Sequence, residues 1–146
     1  METVADVIRR KGHGVYSVRR DASMEEAVNA FLDKDVNALL VMDGHTVLGL
    51  FTKNELLRSF LKQPDQFRNM TAGECASQDF FSTTPQTGLA DLFAEMMHRG
   101  VHNVPVMDGD RPIAMITSLD VVLEQKQSVT FENEQLMRYI HGRHYE

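Results

Sequence analysis

The sequence has few of the features that mark exported, membrane-spanning or nucleic-acid-binding proteins. Cys75 is the only cysteine among its 146 residues, so no disulfide can form within the chain. Its longest apolar runs, such as Ala38 to Met42, are far shorter than the roughly 18 residues that a membrane helix needs. A formal net charge of −6 provides no basic field for a phosphodiester backbone. These absences predict a cytoplasmic protein without membrane or nucleic-acid partners.

Signatures of catalysis and metal binding are also missing from the sequence. There is no P-loop, no Gly-x-Ser-x-Gly turn and no Gly-x-Gly-x-x-Gly turn. His98 and His102 have the four-residue spacing of a helical metal pair, but Gly100 lies between them and no further ligand cluster follows. We therefore predict neither an enzyme nor a metal site, and an enzyme without a known motif stays as the remote alternative.

The chain does contain an internal repeat. The sequence Val41-Met42-Asp43-Gly44 recurs as Val106-Met107-Asp108-Gly109, an offset of 65 residues. The same offset relates Thr52 to Thr117, and it holds without a gap from about residue 15 to residue 61 of the first copy. The two copies share apolar character more than identity, which is the pattern expected when only the core is constrained.

Each copy is predicted to fold in the order β-α-β-β-α. Ser23 and Glu26 form one capping-box sequence and Thr52 and Glu55 form another, so a helix is expected after each. Asp-Gly pairs between short apolar runs predict hairpins in both copies. In the first copy the strands are expected at residues 15–18, 38–42 and 47–51. In the second, a helix ending at Gly100 precedes strands at 104–107 and 113–116 and a helix after Thr117.

The organisation predicted from this pattern is a mixed α/β (α+β) fold made of two tandem repeats. Residues 1–61 form the first repeat, 62–69 the connection, 70–127 the second repeat, and 128–146 an appended C-terminal helix and tail. Short lead-in helices are expected at 3–10 and 70–76. The appended helix rests on apolar residues partly in helical phase: Phe131, Leu136, Tyr139 and Ile140.

This repeat resembles the cystathionine-β-synthase (CBS) domain family. The family fingerprint, a small residue and an apolar run followed by Thr-x-x-acid, is present as residues 49–55 and again as residues 114–120. The resemblance implies a stand-alone Bateman module, in which the paired repeats pack as a pseudo-two-fold disc. It also implies a regulatory function: an adenosyl ligand (AMP, ADP, ATP or S-adenosylmethionine) binds in the cleft between the repeats and acts through conformation or dimer state.

The same resemblance implies which residues bind the ligand. A helix beginning after Thr117 would offer backbone N–H groups and a hydroxyl to a phosphate, and Asp120 would accept hydrogen bonds from the ribose. The favoured site comprises Thr83, His102, Asn103, Val104, Pro105, Thr117, Ser118 and Asp120. A weaker site in the first repeat comprises Ser17, Asn37, Ala38, Thr52 and Glu55. The sequence departs from the family pattern at Glu55, which is one methylene longer than the usual Asp, and at Ala114, which replaces the usual Gly.

One further reading of these residues stays open at the level of sequence. The Thr-x-x-acid segments are also ordinary helix caps, so the protein could be a ligand-free structural adaptor that only dimerises. A homodimer is predicted in either case, because the last helix of each repeat is expected to expose an apolar surface that a second copy could cover. Its residues are Leu57, Phe60, Leu61, Val121 and Val122. No cofactor is required by this reading, and the regulated protein is unidentified.

Overall fold

The computed structural model describes residues 2–127. The predicted C-terminal helix at 128–146 lies outside the described residues. The first repeat contains α1 (Val4–Lys11), β1 (Ser17–Arg19), α2 (Met24–Lys34), β2 (Ala38–Asp43), β3 (Thr46–Thr52) and α3 (Lys53–Lys62). After a 3₁₀ turn at Phe67–Asn69, the second contains α4 (Ala72–Cys75), α5 (Leu89–Arg99), β4 (Asn103–Asp108), β5 (Arg111–Thr117) and α6 (Ser118–Gln127). The predicted element order is confirmed in the first repeat, whereas the first strand expected in the second repeat is reduced to a single bridge at Thr83.

The helix boundaries follow the capping residues expected from the sequence. The Ser23 hydroxyl accepts a hydrogen bond from the Glu26 amide at 3.1 Å, and α2 begins at the next residue. The Thr52 hydroxyl accepts from the Glu55 amide at 3.2 Å in the same way. Gly100 ends α5 in the left-handed conformation with φ 67°, which glycine adopts without a steric cost. Local sequence therefore sets where these helices begin and end.

Two small sheets carry the repeats. β2 and β3 pair antiparallel and β1 lies parallel along the other edge of β2, giving the order β1-β2-β3. β4 and β5 form the equivalent antiparallel hairpin, and Thr83 makes a single parallel bridge to Val106 where the second repeat would have its first strand. Both Asp-Gly turns place glycine at positive φ, 60° at Gly44 and 64° at Gly109. The predicted hairpins are confirmed.

The two repeats exchange their leading helices, which the sequence did not predict. Val4 and Val7 of α1 are fully buried in a core with Leu92 and Met96 of the second repeat. Conversely, α4 packs into the core of the first repeat, which contains Phe31 and Phe51, through the residues Ala72 and Cys75. Each core is therefore built from residues on both sides of the 62–69 connection.

A third apolar cluster lies between the two sheets. Leu40 and Leu50 are buried there, and Val15, Phe80 and Met115 pack against them. Two backbone bridges cross the same region, Gly14 to Ala114 and Leu50 to Ser77. The repeats are therefore joined by packed side chains and by paired backbone, an arrangement that fixes how the starts of their final helices are placed.

Helix α3 and part of α6 leave apolar side chains in solvent. On α3 the exposed fractions are 58% for Leu57 and 78% for Leu61, and the helix buries no residue. On α6 the exposed apolar residues are Leu119, Val122 and Leu123. Val121 was wrongly predicted to belong to this face: its exposure is 0%, because its position on the helix directs it into the core of the second repeat.

Candidate functional site

The hairpin of the second repeat brings four of the predicted site residues to one point. Asn103, the first residue of β4, pairs with Thr117, the last residue of β5. The Ser118 amide donates to the His102 carbonyl at 3.1 Å, and the Ser118 hydroxyl lies 3.4 Å from Nδ1 of His102. The segment before β4 and the start of α6 are therefore neighbours, as the resemblance implied.

Asp120 closes the first turn of α6 and contacts a lysine of the exchanged helix. Its amide donates to the Thr117 hydroxyl at 3.1 Å, and its Oδ2 accepts from the Thr117 amide at 2.9 Å, which completes a reciprocal capping box. Nζ of Lys11 donates to the same Oδ2 at 2.7 Å and to the Met115 carbonyl at 2.7 Å. The carboxylate is thus fixed by its own helix and by α1.

The pKa of Asp120 reflects these contacts. Burial of the carboxyl is the largest single effect and disfavours the charged form. The hydrogen bonds and the charge of Lys11, together with the hydrogen bonds from Thr117, outweigh it and hold the pKa below the ordinary value of 3.8. The lowered pKa keeps the Asp120 carboxyl ionised at neutral pH.

The other predicted residues of the favoured site are buried in the sheet. Val104 and Pro105 are buried in β4, and the Val104 side chain packs in the core with Ile116, so it does not line a pocket. Thr83 is 6% exposed and bonds Pro105 and Met107 through its backbone. It lies on the edge of β4 opposite β5, and so on the other side of the strand from Thr117.

The first repeat repeats part of this arrangement. Ala38 pairs with Thr52, and the Lys53 amide donates to the Asn37 carbonyl at 3.1 Å, which matches the contact between residues 118 and 102. The Glu55 carboxylate bonds Arg58 of its own helix at 2.9 Å. Asn37 is exposed, whereas Ala38 is only 4% exposed and belongs to the cluster between the sheets.

Ser17 stands apart from the other residues of the weaker site. It pairs with Leu40 on the edge of β2 opposite β3, and hence opposite Thr52. It borders an open depression of about 670 Å³ near the first Asp-Gly turn, lined by Ser17, Val18, Arg19, Arg20, Asp21, Met42, Asp43 and Gly44. None of the other predicted site residues lines this depression.

Sequence reasoning missed the basic end of α1. Besides the contacts of Lys11, Nε of Arg10 donates to Glu124 at 2.8 Å and its Nη2 donates to the Asp120 carbonyl at 3.2 Å. The available signal was the run Arg9-Arg10-Lys11 at the end of a lead-in helix, but that run indicates only a favourable charge at a helix C-terminus. Its place beside Asp120 follows from the exchange of helices.

Ala114 is accommodated by the segment that faces it. At the equivalent Gly49, an added Cβ would lie 2.7 Å from the Ser77 carbonyl oxygen, so the close approach of the lead-in segment requires glycine there. Ala114 instead faces Gly14, which has φ 135° and donates its amide to the Ile113 carbonyl at 3.0 Å. The alanine methyl is buried in the core of the second repeat.

The described part of the chain has neither a cluster of metal ligands nor a helix that could span a membrane. Within residues 2–127, no three His, Cys, Asp or Glu side chains are grouped so that they could hold a metal ion. His98 is on α5, and His102 lies beyond the Gly100 cap. Over the same part of the chain, no helix has both the length and the apolar character needed to cross a membrane.

Comparisons with known proteins agree with this architecture. A crystal structure of the CBS-domain containing protein from Agrobacterium tumefaciens superimposes with a TM-score of 0.80 at 25% identity, covering 85% of this chain and 99% of that one. A crystal structure of CBSX2 in complex with AMP gives a TM-score of 0.73 at 22% identity, covering 87% and 98%. The second likeness concerns the fold alone.

Sequence comparison identifies the family. An uncharacterized protein of Methanocaldococcus jannaschii is 28% identical over 109 residues, which are 74% of this chain but only 38% of that relative. The model of the CBS domain family matches twice, at residues 3–62 and 72–126. These two matches, which cover most of the chain, establish that it belongs to the CBS domain family.

Proposed function

We propose that this protein is a regulatory module that binds an adenosyl ligand at the start of α6. The ligand class is AMP, ADP, ATP or S-adenosylmethionine. The observation that carries the proposal is the convergence of His102, Asn103, Thr117 and Asp120 at one helix N-terminus. The AMP complex of CBSX2, a protein of the same fold, supports this ligand class.

The chemistry of the site suits a nucleotide. The start of a ten-residue helix offers a partial positive charge to a phosphate, with the Leu119 amide as the proposed donor because the Ser118 and Asp120 amides already bond His102 and Thr117. The Lys11 ammonium and the Thr117 amide both donate to Oδ2 of Asp120, so we assign Oδ1 to a ribose hydroxyl. The base would contact the segment before β4, which includes His102 and Asn103.

The regulatory role follows from where the ligand would lie. A ligand at the start of α6 is next to the exchanged helix α1, so it would interact differently with docked and undocked arrangements of that helix. The output would be a change of conformation or dimer state sensed by a regulated protein. We infer that the module catalyses nothing itself and acts in the cytoplasm without a nucleic-acid partner, as the sequence predicts.

Calorimetric titration with AMP, ADP, ATP and S-adenosylmethionine tests the proposal. Thr117→Ala and Thr52→Ala remove equivalent helix caps, so each should cost about 1 kcal/mol of stability. Only Thr117→Ala should weaken ligand binding, by tenfold or more. Equal loss of binding in both variants would contradict a site in the second repeat, and no heat with any of the four ligands at millimolar concentration would refute the binding function.

A ligand-free adaptor remains the second candidate, because two observations favour it. Leu40, Leu50 and Met115 already fill the space between the sheets, and Oδ2 of Asp120 already has two hydrogen-bond donors. Dimerisation would then be the whole function. A dimer whose mass and melting temperature do not respond to any of the four ligands would support this candidate.

A further inference from the structure

We propose that Lys11 makes the second-repeat site selective for phosphorylated ligands. This inference rests on the proposed function and narrows it: AMP, ADP and ATP would bind well, whereas neutral adenosine and cationic S-adenosylmethionine would bind poorly. Lys11 lies 109 residues before Asp120 in the sequence and reaches it because α1 is exchanged onto the second repeat.

The geometry places an ammonium group directly at the candidate site. Nζ of Lys11 lies 2.7 Å from Oδ2 of Asp120 and 2.7 Å from the Met115 carbonyl oxygen. An ammonium has three donors, and these contacts use two, so one N–H is left to point elsewhere. The side chain is 35% exposed, which leaves the third donor accessible to a ligand.

The charges at the start of α6 show why a phosphate needs this lysine. Asp120 and Glu124 place two negative charges on the first turns of the helix. A phosphate at the same helix start would be repelled by them, because like charges at short range disfavour each other. Lys11 pairs with Asp120 and Arg10 pairs with Glu124, so both acids are compensated and the helix N-terminus can attract an anion.

In the first repeat, no basic residue of the other repeat's lead-in segment neutralises the acid at the start of the final helix. The lead-in segments correspond at an offset of 68 residues, because Thr3 bridges Gly88 as Thr71 bridges Ser23. The residues equivalent to Arg10 and Lys11 are therefore Gln78 and Asp79, which carry no positive charge. Glu55 pairs instead with Arg58, whose side chain is 63% exposed and lies on the same helix. Selectivity for a phosphate should therefore belong to the second repeat alone.

In the alternative role, Lys11 occupies the Asp120 carboxylate and prevents it from binding a ribose hydroxyl. The lysine contacts only Oδ2, so the second oxygen of the carboxylate is left for a hydroxyl. Lys11 also has a flexible four-carbon stem, which lets the ammonium follow a phosphate without leaving the site. The two roles predict opposite effects of removing the charge, which makes them separable.

Calorimetry of the full chain with AMP and with adenosine, as matched ligands, tests the inference. The wild-type protein should bind AMP at least tenfold more tightly than adenosine. Lys11→Met should weaken AMP at least tenfold and change adenosine by less than about threefold, while Lys11→Arg should keep most of the AMP affinity. Arg9→Met is the control: Arg9 is on the same helix, 70% exposed and paired with Asp6, and its loss should leave both affinities unchanged.

The outcomes distinguish this inference from the function on which it rests. If Lys11→Met binds AMP as well as the wild type, or more tightly, Lys11 does not select phosphate, although the proposed nucleotide binding stands. If neither ligand binds any variant at millimolar concentration, the inference fails, and the titrations with ADP, ATP and S-adenosylmethionine decide whether the proposed function fails as well. If Lys11→Met does not fold, the salt dependence of ligand binding by the wild-type protein tests the inference. The preference of the wild type for AMP over adenosine should fall as the salt concentration is raised. A preference that is absent, or that does not change with salt, overturns the inference.

Discussion

At the scale of single residues, Asp120 combines a structural role with the proposed binding role. It caps α6 through Thr117 and ties α6 to α1 through Lys11. A ligand that hydrogen-bonds this carboxylate would therefore act on the contact between the two repeats. The family fingerprint predicts Asp120, but only the folded structure shows that Lys11 is its partner.

Stability should depend on the ionisation of Asp120. Because its pKa in the folded protein is lowered below 3.8, the charged form stabilises the fold above that pH, and this contribution is lost as the pH falls through the lowered pKa. Asp120→Asn should cost about 1–3 kcal/mol at pH 7, as expected for loss of charged hydrogen bonds. The cost should shrink towards zero in acid below the lowered pKa.

Urea denaturation across this pH range measures the effect. Asp110→Asn removes the same charge from the exposed turn between β4 and β5, so subtracting its effect corrects for net charge. A cost for Asp120→Asn that stays constant down to strongly acidic pH would show that the carboxylate charge does not contribute through Lys11 and Thr117.

Residues that act locally were predictable, and residues that act across the repeats were not. Ser23, Thr52 and Thr117 cap helices three residues ahead of their partners, so the sequence alone identified them. The contact of Lys11 with Asp120 spans 109 residues and depends on which repeat receives α1. The favourable pairing of Ala114 with Gly14 was hidden for the same reason.

At the scale of helices and strands, apolar periodicity predicted the elements but not all of their partners. The stripe on α1 indicates that one face is buried, yet it carries no information about which core receives it. In the structure that face is buried in the second repeat, and α4 is buried in the first. Leu61, which is 78% exposed, shows the converse case: an apolar helix position that the rest of the chain leaves largely in solvent.

Mutations in α1 and α4 should destabilise the repeat against which each helix packs, and not the repeat that follows it in sequence. Val7→Ala removes two methyl groups from a fully buried side chain and should cost about 1–3 kcal/mol. Hydrogen exchange should then accelerate mainly in α5, β4 and β5, although Val7 precedes them by more than eighty residues. Cys75→Ala is the reciprocal variant and should accelerate exchange mainly in α2, β2 and β3. Faster exchange confined to the repeat that follows each mutated helix in sequence would contradict the exchange.

At the scale of the whole molecule, the exposed apolar residues of α3 and α6 favour association of two copies. Symmetric pairing of one surface with itself is the commonest way in which soluble proteins cover such a face. The sequence predicted this from α3 and α6 together, and only Val121 was assigned wrongly, because one residue along a helix separates a buried position from an exposed one.

We propose that two copies associate through this apolar face. Leu57→Glu should then convert the proposed dimer to a monomer, because it places a charge in an apolar contact at a side chain that is 58% exposed in the single chain. Sedimentation velocity measures the mass directly. Leu32→Glu, at an exposed leucine on α2, is the matched control and should leave the dimer intact. A wild-type chain that sediments as a monomer at all concentrations would show that no such dimer forms.

An amide NMR titration with AMP most directly tests whether an adenosyl ligand binds at the start of α6. We expect the largest chemical-shift changes at residues 102–104 and 117–120, smaller changes at residue 11, and weaker ones still at residues 52–55. An unchanged spectrum at millimolar AMP, or shifts confined to the depression at residues 17–21 and 42–44, would contradict it.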